Sequence, residues 1–504
     1  MRTFRHYILV LFLFVVADAL KAKAPVRIDN GVVPCMTCQE LVRLRLPEVR
    51  IDSATSVVDG RASNGYCRVL GVIGKEIGFE LLLPQEWNKR FVMGGGGGFV
   101  GSIMNRARNA VHNGFATAGT DTGHEGMHAR WALNNMERQL NFGHMAVHRT
   151  AETSKAIIFH YYGSDPDFSY FVGLSRGGGQ AMMEAQRYPG DFDGIVAGAP
   201  AFNWVGQAAE FIQNTRAVYP NPKKTNTPLL TRDNLKMLHK MILSHCDKLD
   251  GVRDSIMNDP RNCDFDLNSI PRCRGKVAGP GCLTQRQSEA LKIIYDGVGT
   301  GDELLHPGFP YGGEGERTGW FPSLVGPNRG AAPYATWQEF YGMETFRYLV
   351  FNDSLWNYAG YDFSKVHQDT RYASAYLDAN QTDYSAFKKQ GGKMIIYQGW
   401  IDPLISALDI IGHYERASAM DPELPGYIRL FMLPGITHTG GNGPGKADWL
   451  QLVQDWVEKG IAPERVVVSK TEKEKVLMTR PVFPYPRKAI YIGNGDPNLE
   501  SSFK

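Results

Sequence analysis

Charge of one sign is what this 504-residue chain lacks. It has 55 Lys and Arg against 52 Asp and Glu, a formal net charge of +3. No long basic run interrupts that balance, so no nucleic-acid partner is expected. Long apolar runs are absent after the first 24 residues, which argues against a membrane-spanning helix there. No internal repeat or low-complexity tract occurs, which excludes a solenoid or an array. Cysteine is scarce, with seven residues: Cys35, Cys38, Cys67, Cys246, Cys263, Cys273 and Cys282. They offer no double C-x-x-C set with zinc spacing. Cys35-x-x-Cys38 stands alone without a βαβ unit nearby, so a redox motif is unsupported.

The apolar run that is present lies at the front. Arg2 and Arg5 precede Tyr7-Ile-Leu-Val-Leu-Phe-Leu-Phe-Val-Val16, and Ala17-Asp-Ala19 or Ala22-Lys-Ala24 supplies a small-x-small cleavage site. Residues 1–24 therefore read as a signal peptide, and the mature chain as exported, secreted or periplasmic, with disulfides permitted.

Glycine is plentiful, and its placement is informative. Phe168-Ser-Tyr-Phe-Val-Gly173 reads as a strand, and Gln180-Ala-Met-Met-Glu-Ala-Gln-Arg-Tyr-Pro189 as a helix stopped by proline. Between them Gly173-x-Ser175-x-Gly177 forms a nucleophile elbow, a tight strand-to-helix turn that raises a serine hydroxyl above a sheet. A second run, Gly94 to Gly98 and Gly101, follows the strand Phe91-Val-Met93 and suits an oxyanion loop.

Strand patterns at Lys75–Pro84, Phe115–Gly119 and Asp193–Gly198, with a helical pattern from Phe142 to Tyr162, give the alternation of a parallel α/β sheet. Leu41–Leu46 alternates apolar and basic residues, as an edge strand does. The rhythm stops near residue 230. It returns at Gly392–Gln398 and Tyr427–Leu433, with a closing helix from Ala447 to Lys459. The expected architecture is an α/β-hydrolase core over 25–229 and 386–504, with an inserted lid domain over 230–385.

A serine nucleophile needs a base, and the base needs an orienting carboxylate. The α/β-hydrolase chain order is Ser, then an acid, then His, each on a loop after a strand. Asp402 and His438 satisfy this order, after the strands ending at Gln398 and Leu433. The expected oxyanion donors are the N–H groups of Arg176 and Gly98.

Asp247-x-x-Asp250-Gly-Val252-x-Asp254-x-Ile256 places three carboxylates in one short loop, with the carbonyls of Val252 and Ile256 as further oxygens. Calcium takes such oxygens. A solvated acidic turn has the same spacing.

These segments together resemble the tannase/feruloyl esterase family. The resemblance rests on Thr120-Asp-x-Gly-His124, Tyr170-Phe-x-Gly-x-Ser-x-Gly-Gly178, Asp193-Gly-Ile-Val-Ala-Gly-Ala-Pro200, Gly399-Trp-x-Asp-Pro403, His438-x-Gly-Gly441 and Arg480-Pro-x-x-Pro-Tyr-Pro486. It implies an esterase acting on small or polymer-linked aromatic (feruloyl or galloyl) esters, and a structural Ca²⁺ in the lid loop. It also implies disulfides Cys38–Cys67, Cys246–Cys263 and Cys273–Cys282, leaving Cys35 free. Where family members carry a cysteine pair beside the nucleophile and the histidine, this chain has Leu174 and Thr439, and Phe483 replaces another usual cysteine. Acyl transfer, lactone hydrolysis and a non-catalytic calcium-stabilised binding protein are the alternatives on the same residues.

Overall fold

The computed structural model describes residues 31–58, 60, 65–274, 279, 281–301 and 303–504. The signal segment 1–24 lies outside them. Nine strands form one sheet: β1 (Val49–Val57), β2 (Tyr66–Ile73), β3 (Ile77–Pro84), β4 (Arg90–Gly94), β5 (Ala116–Thr120), β6 (Phe168–Leu174), β7 (Gly194–Gly198), β8 (Lys393–Gly399) and β9 (Ile428–Leu433). In space they run β1-β2-β3-β5-β4-β6-β7-β8-β9. The pairs β1–β2, β2–β3 and β3–β5 are antiparallel, and every pair from β5–β4 onward is parallel. This is the α/β-hydrolase arrangement that the alternation of elements predicts.

The parallel strands are apolar nearly throughout because helices cover both faces. The period of two still sorts their side chains. Phe91, Met93, Phe171, Ile195, Ala197, Met394 and Ile396 enter one core, beneath α1 (Ala146–Tyr162) and α2 (Arg176–Arg187). Val92, Tyr170, Val196, Ile395 and Phe431 enter the other, against Trp449, Val453 and Trp456 of the closing helix.

The chain leaves the sheet after Gly198 and re-enters it at Lys393. Between these points lie α3 (Trp204–Val218), α4 (Arg232–Cys246), α5 (Gln285–Asp296), α6 (Trp337–Thr345), α7 (Val366–Leu377) and a hairpin of Val298–Thr300 with Glu303–His306. Leu235, Leu238, Ile242, Leu291, Ile294, Trp320 and Phe340 fill this body's interior. Helix α3 precedes residue 230, yet its Ala208, Ala209 and Ile212 pack with Met343 and Phe346.

Two expectations are corrected. Leu41–Leu46 is not a strand: Cys38–Arg43 forms a 3₁₀ helix. The Thr37 N–H donates to Glu40 Oε2 at 2.7 Å, and buried Cys38 and Leu41 face inward three residues apart, a helical spacing. The sheet edge is β1 instead. The elbow helix starts at Arg176, four residues before Gln180, because Gly177–Gly179 continue it rather than extend the turn. The structure adds a C-terminal hairpin, β10 (Val466–Glu472) with β11 (Lys475–Val482).

Candidate active site

Ser175 sits between β6 and α2 with φ 64° and ψ −123°, a conformation that L-residues rarely adopt. The turn is held from three sides. Ser175 N–H donates to Gly198 O at 2.9 Å, and Ser175 O accepts from Gly179 N and Ala201 N at 3.0 Å each. A Cβ on Gly173 would lie 2.0 Å from Gly177 O, so no larger residue fits there.

Asp402 follows β8 and His438 follows β9, so three neighbouring regions of one sheet edge deliver the predicted residues to one point. Ser175 Oγ lies 3.0 Å from His438 Nε2, and His438 Nδ1 lies 2.7 Å from Asp402 Oδ2. Asp402 is buried, and its other oxygen accepts from Leu404 N at 2.8 Å and Ile405 N at 3.0 Å. With Oδ1 committed to the backbone, Oδ2 is left to accept from Nδ1–H. The ring then presents an Nε2 lone pair to the hydroxyl.

No disulfide braces Leu174, before the nucleophile, or Thr439, after the histidine. Leu174 packs half-buried against the apolar core of the inserted body, and Thr439 is exposed. Hydrogen bonds hold the His438 loop instead. Thr437 Oγ1 is 2.6 Å from Thr318 Oγ1 of the inserted body, and Asn442 donates to Glu316. Sequence reasoning missed these two ties, because nothing local links a threonine near 318 to one at 437.

The glycine run comes to the same place. Gly98 has φ +55° and lines a narrow cavity with Ser175, Trp204, Phe211, Tyr341 and Leu404. The N–H groups of Gly98 and Arg176 meet no acceptor among the described residues. The cavity is about 20 Å³, room for a water and little more. A much larger cleft, about 1150 Å³, opens between Arg106 and Trp449. None of the Ser175, Asp402 and His438 side chains lines it, so the geometry of the three side chains, rather than cleft size, locates the site.

The Arg176 side chain turns away from the cavity into the protein. Its guanidinium donates to Phe142 O at 2.8 Å, Gly143 O at 2.9 Å and Leu377 O at 3.3 Å, and lies 4.4 Å from the Phe142 ring centroid. Burial pulls it down to about 10. It ties the elbow to the start of α1 and the end of α7, a role no sequence signal marks. His124 braces the glycine run: its Nε2 is 2.7 Å from Phe99 O, and its ring stacks on Trp131 at 3.8 Å. Burial pulls His124 down to about 4, so it stays neutral and donates.

The disulfides are Cys38–Cys67, Cys246–Cys263 and Cys273–Cys282, and Cys35 is free and exposed. The second closes the acidic loop. There Asp250 accepts from Val252 N at 3.3 Å and Asn258 N at 3.0 Å, Asp254 pairs with the buried Arg480, and Asp247 Oδ1 is buried without a hydrogen-bond partner among the described residues. Burial, then the Asp254 charge, pushes Asp247 up, and burial pushes Asp250 up to about 6. No described N–H points at the carbonyls of Val252 or Ile256. An orphaned carboxylate oxygen and two carbonyls without donors suit a hard dication in chemistry, but among the described residues the Asp247, Asp250 and Asp254 oxygens do not all gather within 4.8 Å of one another.

The family profile described as "Tannase and feruloyl esterase" matches residues 63–504. The chain belongs to the tannase and feruloyl esterase family. An uncharacterized esterase of Xanthomonas campestris is 33% identical, over 92% of this chain and 90% of that protein. Mono(2-hydroxyethyl) terephthalate hydrolase of Piscinibacter sakaiensis is 30% identical, over 90% of this chain and 86% of that protein. The crystal structure of an esterase from Aspergillus oryzae superposes with a TM-score of 0.81 at 27% identity, over 93% of this chain and all of that one. As a tannase and feruloyl esterase family member the chain is a carboxylic ester hydrolase. No described helix is long and apolar enough to cross a membrane.

Proposed function

We propose that this chain is an exported serine esterase for aromatic carboxylic esters, feruloyl or galloyl in type, working through Ser175, His438 and Asp402. The observation that carries this is the unbroken chain of contacts, 3.0 Å from Ser175 to His438 and 2.7 Å from His438 to Asp402. His438 takes the Ser175 proton as Oγ attacks the ester carbonyl. Asp402 holds the imidazole and stabilises its charged form. The N–H groups of Gly98 and Arg176 receive the oxyanion. His438 returns the proton to the leaving alcohol, and water, deprotonated by His438, hydrolyses the acyl-enzyme. The apolar lining of Trp204, Phe211, Tyr341 and Leu404 suits an aromatic acyl group. Because that cavity holds little more than a water, an aromatic acyl group requires Tyr341 and its neighbours to move aside. Asp247, Asp250 and Asp254, with the Val252 and Ile256 carbonyls, would hold Ca²⁺, which supplies charge neutralisation to the loop and takes no part in the reaction.

The test is hydrolysis of methyl hydroxycinnamates, gallates and terephthalate half-esters by the mature chain, with and without a chelator. Ser175→Ala is expected to lower kcat by about 10⁴-fold or more while leaving the melting temperature unchanged. Full turnover in that variant overturns the reading. Turnover of aliphatic esters alone overturns the substrate class.

A further inference from the structure

Away from Ser175, a second group of ligating side chains lies at the far end of the elbow helix. His148 is on α1, Glu184 is in the last turn of α2, and Asp191 is in the loop that follows α2. One ligand atom from each lies within 4.8 Å of the other two. Glu184 is the telling member. It is 1% exposed, and neither of its carboxylate oxygens accepts a hydrogen bond among the described residues. A buried carboxylate with no partner is unfavourable unless a cation or a proton reaches it. Lys155 is nearby, but its ammonium donates to the Asp191 backbone carbonyl.

The surroundings are built rather than loose. His148 Nδ1 faces Asp191 Oδ2 at 2.7 Å, and the ring stacks on Tyr188 with centroids 3.9 Å apart. On the other side Nε2 lies 3.3 Å from Glu152 Oε2. A carboxylate on the distal nitrogen is the partner that orients a metal-bound imidazole and fixes its tautomer.

We propose that His148 Nδ1, Glu184 and Asp191 form a divalent transition-metal site that clamps the end of α2 to α1. One imidazole with two carboxylates suits Zn²⁺, a borderline ion that accepts mixed nitrogen and oxygen donors. The ion replaces the His148–Asp191 hydrogen bond and gives both Glu184 oxygens a partner or a bound water. The site is separate from the acidic loop of the inserted body, and the proposal stands whether or not the esterase reading holds. The rival account is a proton shared between Glu184 and Asp191, with no metal.

The two are separated with the full mature chain, stripped by chelator and then kept in saturating Ca²⁺. Zn²⁺ is the probe, read by bound-metal content and by melting temperature. Wild type and Asp254→Asn are expected to hold one Zn²⁺ per chain and to melt higher with it. Glu184→Gln and His148→Gln are expected to bind at least about tenfold more weakly, with no rise in melting temperature. The Gln variants keep side-chain volume, and circular dichroism verifies folding. Glu184→Gln mimics the protonated acid. If wild type retains no Zn²⁺, or if both Gln variants bind as wild type does, the proposal is overturned.

Discussion

At the carboxyl ends of β6, β8 and β9, backbone geometry sets Ser175, Asp402 and His438: a strained elbow, two amide donors on Asp402, and strand ends held in register. The inserted body holds its parts by the opposite means. Its helices start on capping side chains such as Thr231, Thr284 and Thr336, two disulfides close its loops, and buried ion pairs join its segments to the core. A main-chain scaffold fixes positions finely but tolerates no added atoms. A side-chain scaffold can be dismantled one tie at a time, each with a graded loss.

The sharpest way to break that contrast is Gly173→Ala. With its Cβ 2.0 Å from Gly177 O, the substitution is expected to remove more than about 4 kcal/mol or abolish folding. Chemical denaturation measures it, and a loss below 1 kcal/mol would show that the elbow yields. Next comes Cys246→Ala with Cys263→Ala. This opens a loop of sequence separation 17 and is expected to remove about 3 kcal/mol, with kcat nearly retained.

Third is a pH effect at His306, which ends the hairpin of the inserted body. Its ring lies between Glu210 of α3 and Asp409, whose Oδ2 is 3.5 Å from Nε2. Burial alone would lower it, but the charges of Glu210 and then Asp409 push it up to about 9. A base raised on folding stabilises fully below its unfolded value of ~6.5, and that contribution fades as pH rises through about 9. Thermal stability is therefore expected to decline from pH 7 to 9.5, on the order of 2–3 kcal/mol from this group. His306→Gln is expected to flatten that decline. The smallest effect is expected at Thr318→Val, which removes the 2.6 Å tie to Thr437 beside His438. About 1 kcal/mol of stability and several-fold in kcat should go, with KM unchanged. Steady-state kinetics over one substrate series reads it.

The contrast also explains what could be read from the sequence. Ser175, Asp402 and His438 each follow a β-rich run through a few turn residues, so local signals mark them. Strands β3 to β9 were legible for the same reason, whereas β1 and β2, at the antiparallel edge, were not read. The hairpin of β10 and β11 was not. Its two-residue turn, Lys473-Glu474, adopts φ 45° and 67° without the Asn or Gly that announces such turns. The 3₁₀ helix Cys38–Arg43 escapes the sequence pattern because the alternation over Leu41–Leu46 fits a strand until Cys38 and Leu41 are seen to share one buried side. The ties from Thr318 to Thr437 and from His148 to Asp191 join distant segments, and no window on the sequence holds both ends.

The pairing of Arg480 with Asp254 joins the last fifth of the polypeptide to its midpoint. In vectorial synthesis the acidic loop emerges long before its guanidinium, so it waits as a cluster of repelling carboxylates until the ribosome has nearly finished. A message cut short ahead of codon 480 would yield a chain whose elbow, acid and histidine are all present, yet whose Asp254 has lost its ion-pair partner.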